Sequence, residues 1–353
     1  MTFTALEDGV SVVRVAPDAD DAAWRRVAQE LSGSCLAHAP EWARVIRQAY
    51  GHDPLYLAGQ DEAGRLGLLP AVVVRRPFFG TVVASMPFLD GGGPCSSSPA
   101  LAKALVETLI GAARRVGADR VEFRCAQRLE IAAQPVEHKV NLVLPLPAEA
   151  GHLWQRLDRS VRNQIRKAER SGLSTESGGT EKLDEFYAIY ATRMRDLGSP
   201  AHDRAFFRET VDGFGRQARV VLVRKGATAV GGLVALAFKD TLVVSWASCL
   251  KEYFTLCPNM LLYWETIRTG CLEGFRQFDF GRSTCGSGTY RFKRQWGAVE
   301  SPLFWYTIPM GPRQIPARSS DGRAAACLVT LWQHLPLTVT RRVGPHVRKY
   351  LIQ

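Results

Sequence analysis

Two stretches of this 353-residue chain repeat one another in order, and no other feature restricts the fold so strongly. Ala37-His38 before Trp42 returns as Ala201-His202 before Phe206, and Tyr50-Gly51 returns as Phe214-Gly215. Leu57 with Gly67-Leu68-Leu69 returns as Leu222 with Gly232-Leu233-Val234. Glu107-Thr108 returns as Glu265-Thr266, and Val121-Glu122-Phe123 as Phe278-Asp279-Phe280. Weak matches that keep their order and nearly keep their spacing mark a doubled structural unit.

Each repeat carries the same pattern of elements. A helix (39–49 and 203–213) precedes a strand and then a hairpin. The first hairpin joins 66–75 to 81–86 through Pro77–Gly80, and the second joins 230–238 to 241–247 through Lys239-Asp240. A long helix (99–116 and 258–273) stops at Gly117 or Gly274, and a short strand (121–124 and 277–280) closes the unit. This order predicts an α/β protein of two tandem lobes, each a mixed open sheet flanked by helices, with a short C-terminal helical tail. The expected boundaries are 1–148 for the first lobe, 149–310 for the second with a basic connecting helix, and 311–353 for a linker and basic amphipathic tail. Two such lobes leave a cleft between them, a common place for a ligand.

With 46% apolar and 22% charged residues the chain is neither disordered, collagen-like nor a coiled coil. Its +11 formal charge is concentrated: residues 153–173 hold six basic and two acidic groups, and 311–353 hold seven and one. Charge placed this way fits a polyanion at particular surfaces: phosphate, nucleotide, RNA or anionic lipid. The eight cysteines form no CxxC pair and read as small hydrophobes, so neither disulfides nor a metal site is expected. The N-terminal residues lack a signal-peptide pattern, and no apolar run reaches the ~18 residues of a membrane span. A cytoplasmic location is expected, and the tail either rests on anionic lipid as an interfacial segment or packs back on the second lobe, since Pro336 and Pro345 break up any long amphipathic helix. No GxxxxGK[ST], HExxH, GxSxG or strand-GxGxxG-helix pattern occurs, so nucleotide hydrolysis, zinc proteolysis and hydride transfer lack support.

Between the lobes, Trp154, Leu157, Val161, Ile165 and Ala168 share one face of a predicted helix. Arg156, Arg159, Arg162, Arg166, Lys167 and Arg170 cover its other faces, either as a solvated surface or as a polyanion contact. His38 and His202 hold equivalent repeat positions, which points to a structural hydrogen bond at a helix start. The loop Asp90-Gly91-Gly92-Gly93-Pro94 is either an anion cradle or a plain tight turn. The densest chemistry lies in 278–297. There a strand ends at Gly281, a Gly/Ser/Thr loop follows, and a helical segment carries Arg291, Lys293 and Arg294. Free amides opening that helix, with cations beside them, suit an anionic ligand; the alternative is a polar loop with a basic surface helix.

The tandem lobes, the run Ser160-Val161-Arg162-Asn163-Gln164-Ile165-Arg166-Lys167-Ala168, and Phe292-Lys293 before Trp296-Gly297 resemble Fem-type aminoacyltransferases and the BioF-like acyltransferases of the GNAT superfamily. Asp279-Phe280-Gly281-Arg282-Ser283-Thr284 with Ser287-Gly288-Thr289-Tyr290 resembles the FemAB-related branch associated with exosortase/PEP-CTERM exopolysaccharide systems. So does the tail pattern Trp332-x-x-Leu335-Pro336-Leu337 followed by Gly344-Pro345.

The resemblance implies an N-acyltransferase that forms an amide on a cell-envelope or exopolysaccharide precursor. Acyl-CoA or aminoacyl-tRNA would be its co-substrate, without a tightly bound cofactor or metal. The acceptor would be an anionic glycan or a nucleotide-sugar- or lipid-linked molecule. The family's Phe-Lys pair falls on Phe292-Lys293, and the Gly-Pro loop of its first lobe falls near Gly93-Pro94. The helical arm of some Fem proteins is missing, and so is the CoA-pyrophosphate loop Q/R-x-x-G-x-G/A after strand 241–247, which leaves both donors open.

From the chemistry of acyl transfer, Lys293, Tyr290, Asp279 and Ser283 are the candidate catalytic groups. Lys293 would serve an oxyanion or phosphate, Tyr290 or Ser283 would pass a proton, and Asp279 would orient or deprotonate the amine. Its repeat partner Glu122 also fits a structural role for Asp279. Candidate binding residues are Arg282, Thr284, Gly286, Gly288, Phe292, Trp296, Arg162, Arg166, Lys167 and Gly93. The alternative function is a non-catalytic binder of RNA or anionic glycolipid on the same fold.

Overall fold

The computed structural model describes residues 9–16, 19–137, 139–311 and 323–352, without the side chains of 323–325. The N-terminal residues 1–8 and nearly all of the Gly/Pro/Ser-rich linker (312–322) lie outside the described residues. Two compact units form. The first takes Met1–Val140, Ser301–Pro316 and Ile352–Gln353, and the second takes Asn141–Glu300 and Ala317–Leu351.

In chain order the first unit holds β1 (Val10–Val15), α1 (Asp21–Glu30), α2 (Glu41–Tyr50), β2 (Asp53–Asp61), β3 (Leu66–Arg76), β4 (Gly80–Ala84), β5 (Cys95–Ser96), α3 (Pro99–Arg115) and β6 (Arg120–Cys125). Next come β7 (Lys139–Pro145), α4 (Ala150–Arg156), α5 (Arg159–Arg170), β8 (Leu173–Gly178), α6 (Leu183–Asp196), α7 (Arg204–Phe214), β9 (Ala218–Lys225), β10 (Thr228–Phe238), β11 (Thr241–Cys249), α8 (Pro258–Leu272), β12 (Gln277–Thr284), α9 (Gly288–Arg294) and β13 (Val299–Pro302). The strand β14 (Phe304–Pro309) joins the first unit's sheet, and α10 (Arg323–His334) and α11 (Leu337–Arg348) follow.

The first sheet runs β1-β2-β3-β4-β6-β14, with β5 on β3, and the second runs β13-β7-β12-β11-β10-β9-β8. From β2 to β6 the pairings are antiparallel, antiparallel, parallel, and β9 to β12 repeat that sequence. The internal duplication is therefore a duplication of topology, and the chain is an α/β protein of two tandem lobes.

Local chemistry accounts for the boundaries. Ser98 caps α3 by accepting the Leu101 N–H at 3.4 Å, Pro99 opens the helix, and Leu101, Leu105 and Leu109 recur on its buried face. These leucines pack on Leu69, Val83, Val121, Phe123 and Tyr306 of the sheet. In the second unit Asp203 caps α7 through the Ala205 N–H at 2.7 Å. Phe186 of α6 meets Phe207 of α7 edge to face at 5.2 Å. All eight cysteines are free, and burial pushes the Cys249 thiol up to about 12.

Three local expectations change. The single helix expected over Trp154–Ala168 is two, because Leu157 and Asp158 adopt extended ψ angles of 142° and 147° between α4 and α5. The apolar spacing continues across this break and so hides it. The strand expected to stop at Gly281 runs on to Thr284, with Gly281 in the left-handed region at φ 71°. In the tail, Pro336 does separate α10 from α11, but Pro345 is buried within α11 and does not end it. Both tail helices pack on α6.

Candidate active site

The second sheet opens at its parallel pair. Pairing of β11 with β12 extends only through Thr241–Gln277, Leu242–Phe278 and Val243–Asp279. Beyond that point both strands continue without pairing one another. Two backbone features part them. In β11 the register with β10 slips between Val234–Trp246 and Ala235–Val244, so Ser245 is an extra residue that bends the strand. In β12 the left-handed Gly281 turns the chain, a conformation that costs a side-chain-bearing residue roughly 1–2 kcal/mol. The result is a fork whose β11 edge, Val244–Cys249, has no strand partner on the β12 side among the described residues.

Most candidate residues from 278–297 surround one branch of this fork. Asp279 accepts the Asn141 side-chain amide at 2.9 Å and the Gly281 N–H at 2.7 Å, so it ties β12 to β7 and shapes the turn. The partly exposed Arg282 follows, close enough to buried His202 to help keep that imidazole neutral. Ser283 is 4% exposed, and its Oγ has no hydrogen-bond partner among the described residues. A buried hydroxyl in that state is a vacant polar contact at the mouth of the fork. Thr284 at the end of β12, Gly286 on the connecting loop and Gly288 at the start of α9 are exposed.

Helix α9 departs from the sequence reading. Ser287 caps it by accepting the Tyr290 N–H at 3.1 Å, so one opening amide is already occupied. Lys293 is 8% exposed, and its ammonium donates to the Gly281 and Arg282 carbonyls at 2.8 Å each. It braces the β12 turn from below. Phe292 and Trp296 seat α9: Phe292 lies 5.1 Å from Tyr263, and Tyr263 stacks on Phe280 at 5.4 Å. The Tyr290 hydroxyl donates to the Glu300 carboxylate, which holds its pKa above the ordinary phenol value.

Other candidates sit elsewhere. Helix α5 is seated on α8 and β8, whereas α9 is seated on β12. The Arg166 guanidinium covers the Trp154 ring at 5.5 Å, Lys167 is exposed, and Arg162 is partly buried. Gly93 belongs to the first unit. A Cβ there would lie 2.5 Å from Cys125 Sγ, so only glycine fits. Its carbonyl accepts from His38 Nε2 at 2.9 Å, while His38 Nδ1 accepts the Cys35 N–H at 3.2 Å, the helix-start role expected for that histidine. Gly93 also lines a cavity of about 790 Å³ with Lys103 and Arg128 at its edge.

The first unit has the same parallel pair, β4 with β6, but its fork is filled. The 1%-exposed Arg124 donates to the Met86 and Leu89 carbonyls at 3.3 and 3.0 Å, and its N–H donates to Ser85 Oγ at 2.9 Å. In the duplication Arg124 stands where the second unit has Gly281. Asn141, Glu300 and the Ser245 bulge were not read from the sequence. Among the described residues no group of three or more His, Cys, Asp or Glu is placed to hold a metal, and no helix is long and apolar enough to cross a membrane.

Comparison with known proteins bears on the fold. Residues 155–294, within the second unit, match the Acetyltransferase (GNAT) domain family. Curated proteins gave no match to the chain. Among solved structures, FemX aligns with a TM-score of 0.64 at 12% identity, over 84% of this chain and 97% of that one. A C-terminal domain (DUF2156) assigned to a lysylphosphatidylglycerol synthetase of Agrobacterium fabrum aligns at 0.56 and 12%, over 89% and 96%. A tandem GNAT protein from the clavulanic acid biosynthesis pathway aligns at 0.54 and 13%, over 86% and 100%. At these identities the likeness is one of fold: two tandem GNAT-like lobes.

Proposed function

We propose that the chain is an N-acyltransferase that joins an acyl or aminoacyl group to an amine on a cell-envelope or exopolysaccharide precursor, with the donor held in the second unit. The parted β11 and β12 strands carry this reading. An exposed strand edge pairs with extended amide-bearing ligands, and the pantetheine arm of acyl-CoA is such a ligand. Helix α8 follows β11 in the chain and has no side-chain cap at Cys257; its first residue, Pro258, carries no N–H and Met260 bonds the Cys257 carbonyl, so the Asn259 amide is the one suited to the donor's diphosphate. Acyl-CoA is therefore the favoured donor, with aminoacyl-tRNA as the second. The resemblance to the exosortase-associated branch and the fold shared with a lipid-modifying synthetase domain favour an envelope acceptor.

In the reaction the acceptor nitrogen attacks the donor carbonyl. A C–N bond forms and the C–S bond (C–O for an aminoacyl ester) breaks. Amides of the free β11 edge stabilise the oxyanion. Tyr290, whose pKa Glu300 raises, gives its proton to the leaving thiolate or alkoxide, and the proton shed by the acceptor nitrogen returns through water to the phenolate. Ser283 binds the donor or acceptor through its vacant hydroxyl, and Arg282 holds an anionic group of the acceptor. Asp279 and Lys293 position the Gly281–Arg282 turn. Arg162, Arg166, Lys167 and the tail remain proposed polyanion and membrane contacts, and the Gly93 cavity a proposed acceptor site.

The test is turnover. The purified chain is incubated with acetyl-CoA, or with aminoacyl-tRNA, and amine-bearing envelope precursors, and acylated product is followed by mass spectrometry. Donor consumed only in the presence of acceptor supports the proposal. Binding without turnover of either donor would contradict it and leave a non-catalytic binder.

A further inference from the structure

The hairpin between β3 and β4 ends in Pro77-Phe78-Phe79-Gly80, and its two aromatic rings point away from the protein. Phe78 is 95% exposed and Phe79 is 72% exposed, the two highest values for large apolar side chains among the described residues. The tip is held firmly. Arg76 pairs with Gly80 across the hairpin, the Phe79 N–H bonds the Arg76 carbonyl at 3.1 Å, and the Arg76 guanidinium returns to the Phe79 carbonyl at 2.5 Å. Phe78 itself is left-handed, at φ 66°. Glycine or asparagine meets that conformation at least cost, so a phenylalanine here is unfavourable both to the backbone and to hydration.

The surroundings are basic. Because β4 and β6 are parallel neighbours, the tip lies at the end of the sheet where α3 finishes and β6 begins. Thr81 at the base of the tip donates to Asp119 at 2.6 Å, and the Asp119 N–H donates back to the Thr81 carbonyl at 2.8 Å. Arg114 and Arg115, both exposed, close α3 just before this point. Arg75 flanks the tip on the other side, paired with Asp53. Four arginines thus lie on the segments that meet at this end of the sheet, Arg75 and Arg76 in the hairpin itself and Arg114 and Arg115 at the end of α3, against the two carboxylates of Asp53 and Asp119.

We propose that this tip is a membrane-docking wedge: Phe78 and Phe79 enter the headgroup–acyl boundary of an anionic phospholipid bilayer, and the arginines meet its phosphates. Aromatic side chains favour that boundary, and the long arginine stems let the charges stay at headgroup level. The wedge is independent of the acyl-transfer reading and of the C-terminal tail. It would hold the first unit at the surface where a lipid-linked molecule resides.

The test is co-sedimentation of the full chain with vesicles of phosphatidylcholine plus phosphatidylglycerol, and of phosphatidylcholine alone. Wild type should pellet with the anionic vesicles. The Phe78→Ser/Phe79→Ser variant should lose about ten- to a hundredfold in partitioning, a part of what full burial of two phenylalanines supplies. Its melting temperature should match wild type because neither ring is buried. Phe78→Leu/Phe79→Leu should retain most of the binding, and Arg114→Gln/Arg115→Gln should weaken it on anionic vesicles only. Equal sedimentation of the Ser/Ser variant and wild type would overturn the proposal. So would a wild-type dimer in lipid-free buffer that the Ser/Ser variant abolishes, since the tip would then face a second copy of the chain.

Discussion

Replacing Lys293 with Met separates two roles for this residue. Were the ammonium exposed in a cleft, the change would alter chemistry and leave the fold intact. Instead, Lys293 is 8% exposed and satisfies the Gly281 and Arg282 carbonyls at 2.8 Å each. Hydrogen bonds to charged groups are worth about 1.5–3 kcal/mol each, and a carbonyl left buried without a donor costs a further part of its desolvation. Methionine fills the aliphatic volume but offers no donor, while it also removes the cost of burying the ammonium, so the net loss should be about 2–4 kcal/mol. For a unit of this size that lowers the melting temperature by roughly 5–15 °C. Urea unfolding should show a lower midpoint at an unchanged slope, the mark of a stability change. A variant that melts with wild type while losing turnover would refute the brace and return Lys293 to the substrate.

Four further outcomes follow from the geometry. Arg124→Ala should destabilise the first unit by about 2–4 kcal/mol in urea titration, since the Met86 and Leu89 carbonyls lose their donor, yet leave donor affinity in the second unit unchanged. Tyr290→Phe should lower kcat by about 10²–10⁴ with an unaltered melt; full activity would remove Tyr290 from proton transfer. Burial first, then Arg348 and Arg282, holds the His202 pKa well below 6.5, and its Nε2 accepts from Arg348 at 3.1 Å. The unfolded chain therefore takes up a proton below about pH 6.5 that the folded chain refuses, so stability is full above that pH and falls by up to about 1.4 kcal/mol per unit below it. His202→Gln should flatten that acid limb in pH-dependent melts, and an unchanged slope would place the acid sensitivity elsewhere.

The duplication was legible because its markers are residues whose backbone or packing demands are strict: glycines after helices, turn residues in hairpins, and apolar strand centres. Helix α6 had a signal that went unread, since Leu183, Phe186, Tyr187 and Tyr190 recur at helical spacing. The fork was half legible. Gly281 announces a special backbone position, but the bulge at Ser245 uses an ordinary residue, and its presence follows only from the register with β10. Lys293 was misplaced for a related reason. A lysine after a Gly/Ser loop looks solvent-bound, and the carbonyls that capture it are aimed inward by the turn at Gly281. Asn141 and Glu300 escaped because each meets its partner only through tertiary pairing, Asn141 across 138 positions of chain. The filled first fork also needed coordinates, because Arg124 within Val121–Cys125 reads as an outward charge on a strand.

Hydrogen exchange read by mass spectrometry, with and without donor, tests the central claim most directly. Acetyl-CoA or aminoacyl-tRNA, whichever binds, should slow exchange at the β11 amides Val244–Cys249 and at the start of α8, because a ligand in the open fork pairs with that edge. Ser85–Leu89 of the first unit, where Arg124 already fills the equivalent space, should exchange at the same rate in both states. Protection at Ser85–Leu89 with none at Val244–Cys249 would contradict the account, and so would binding of a donor that protects neither.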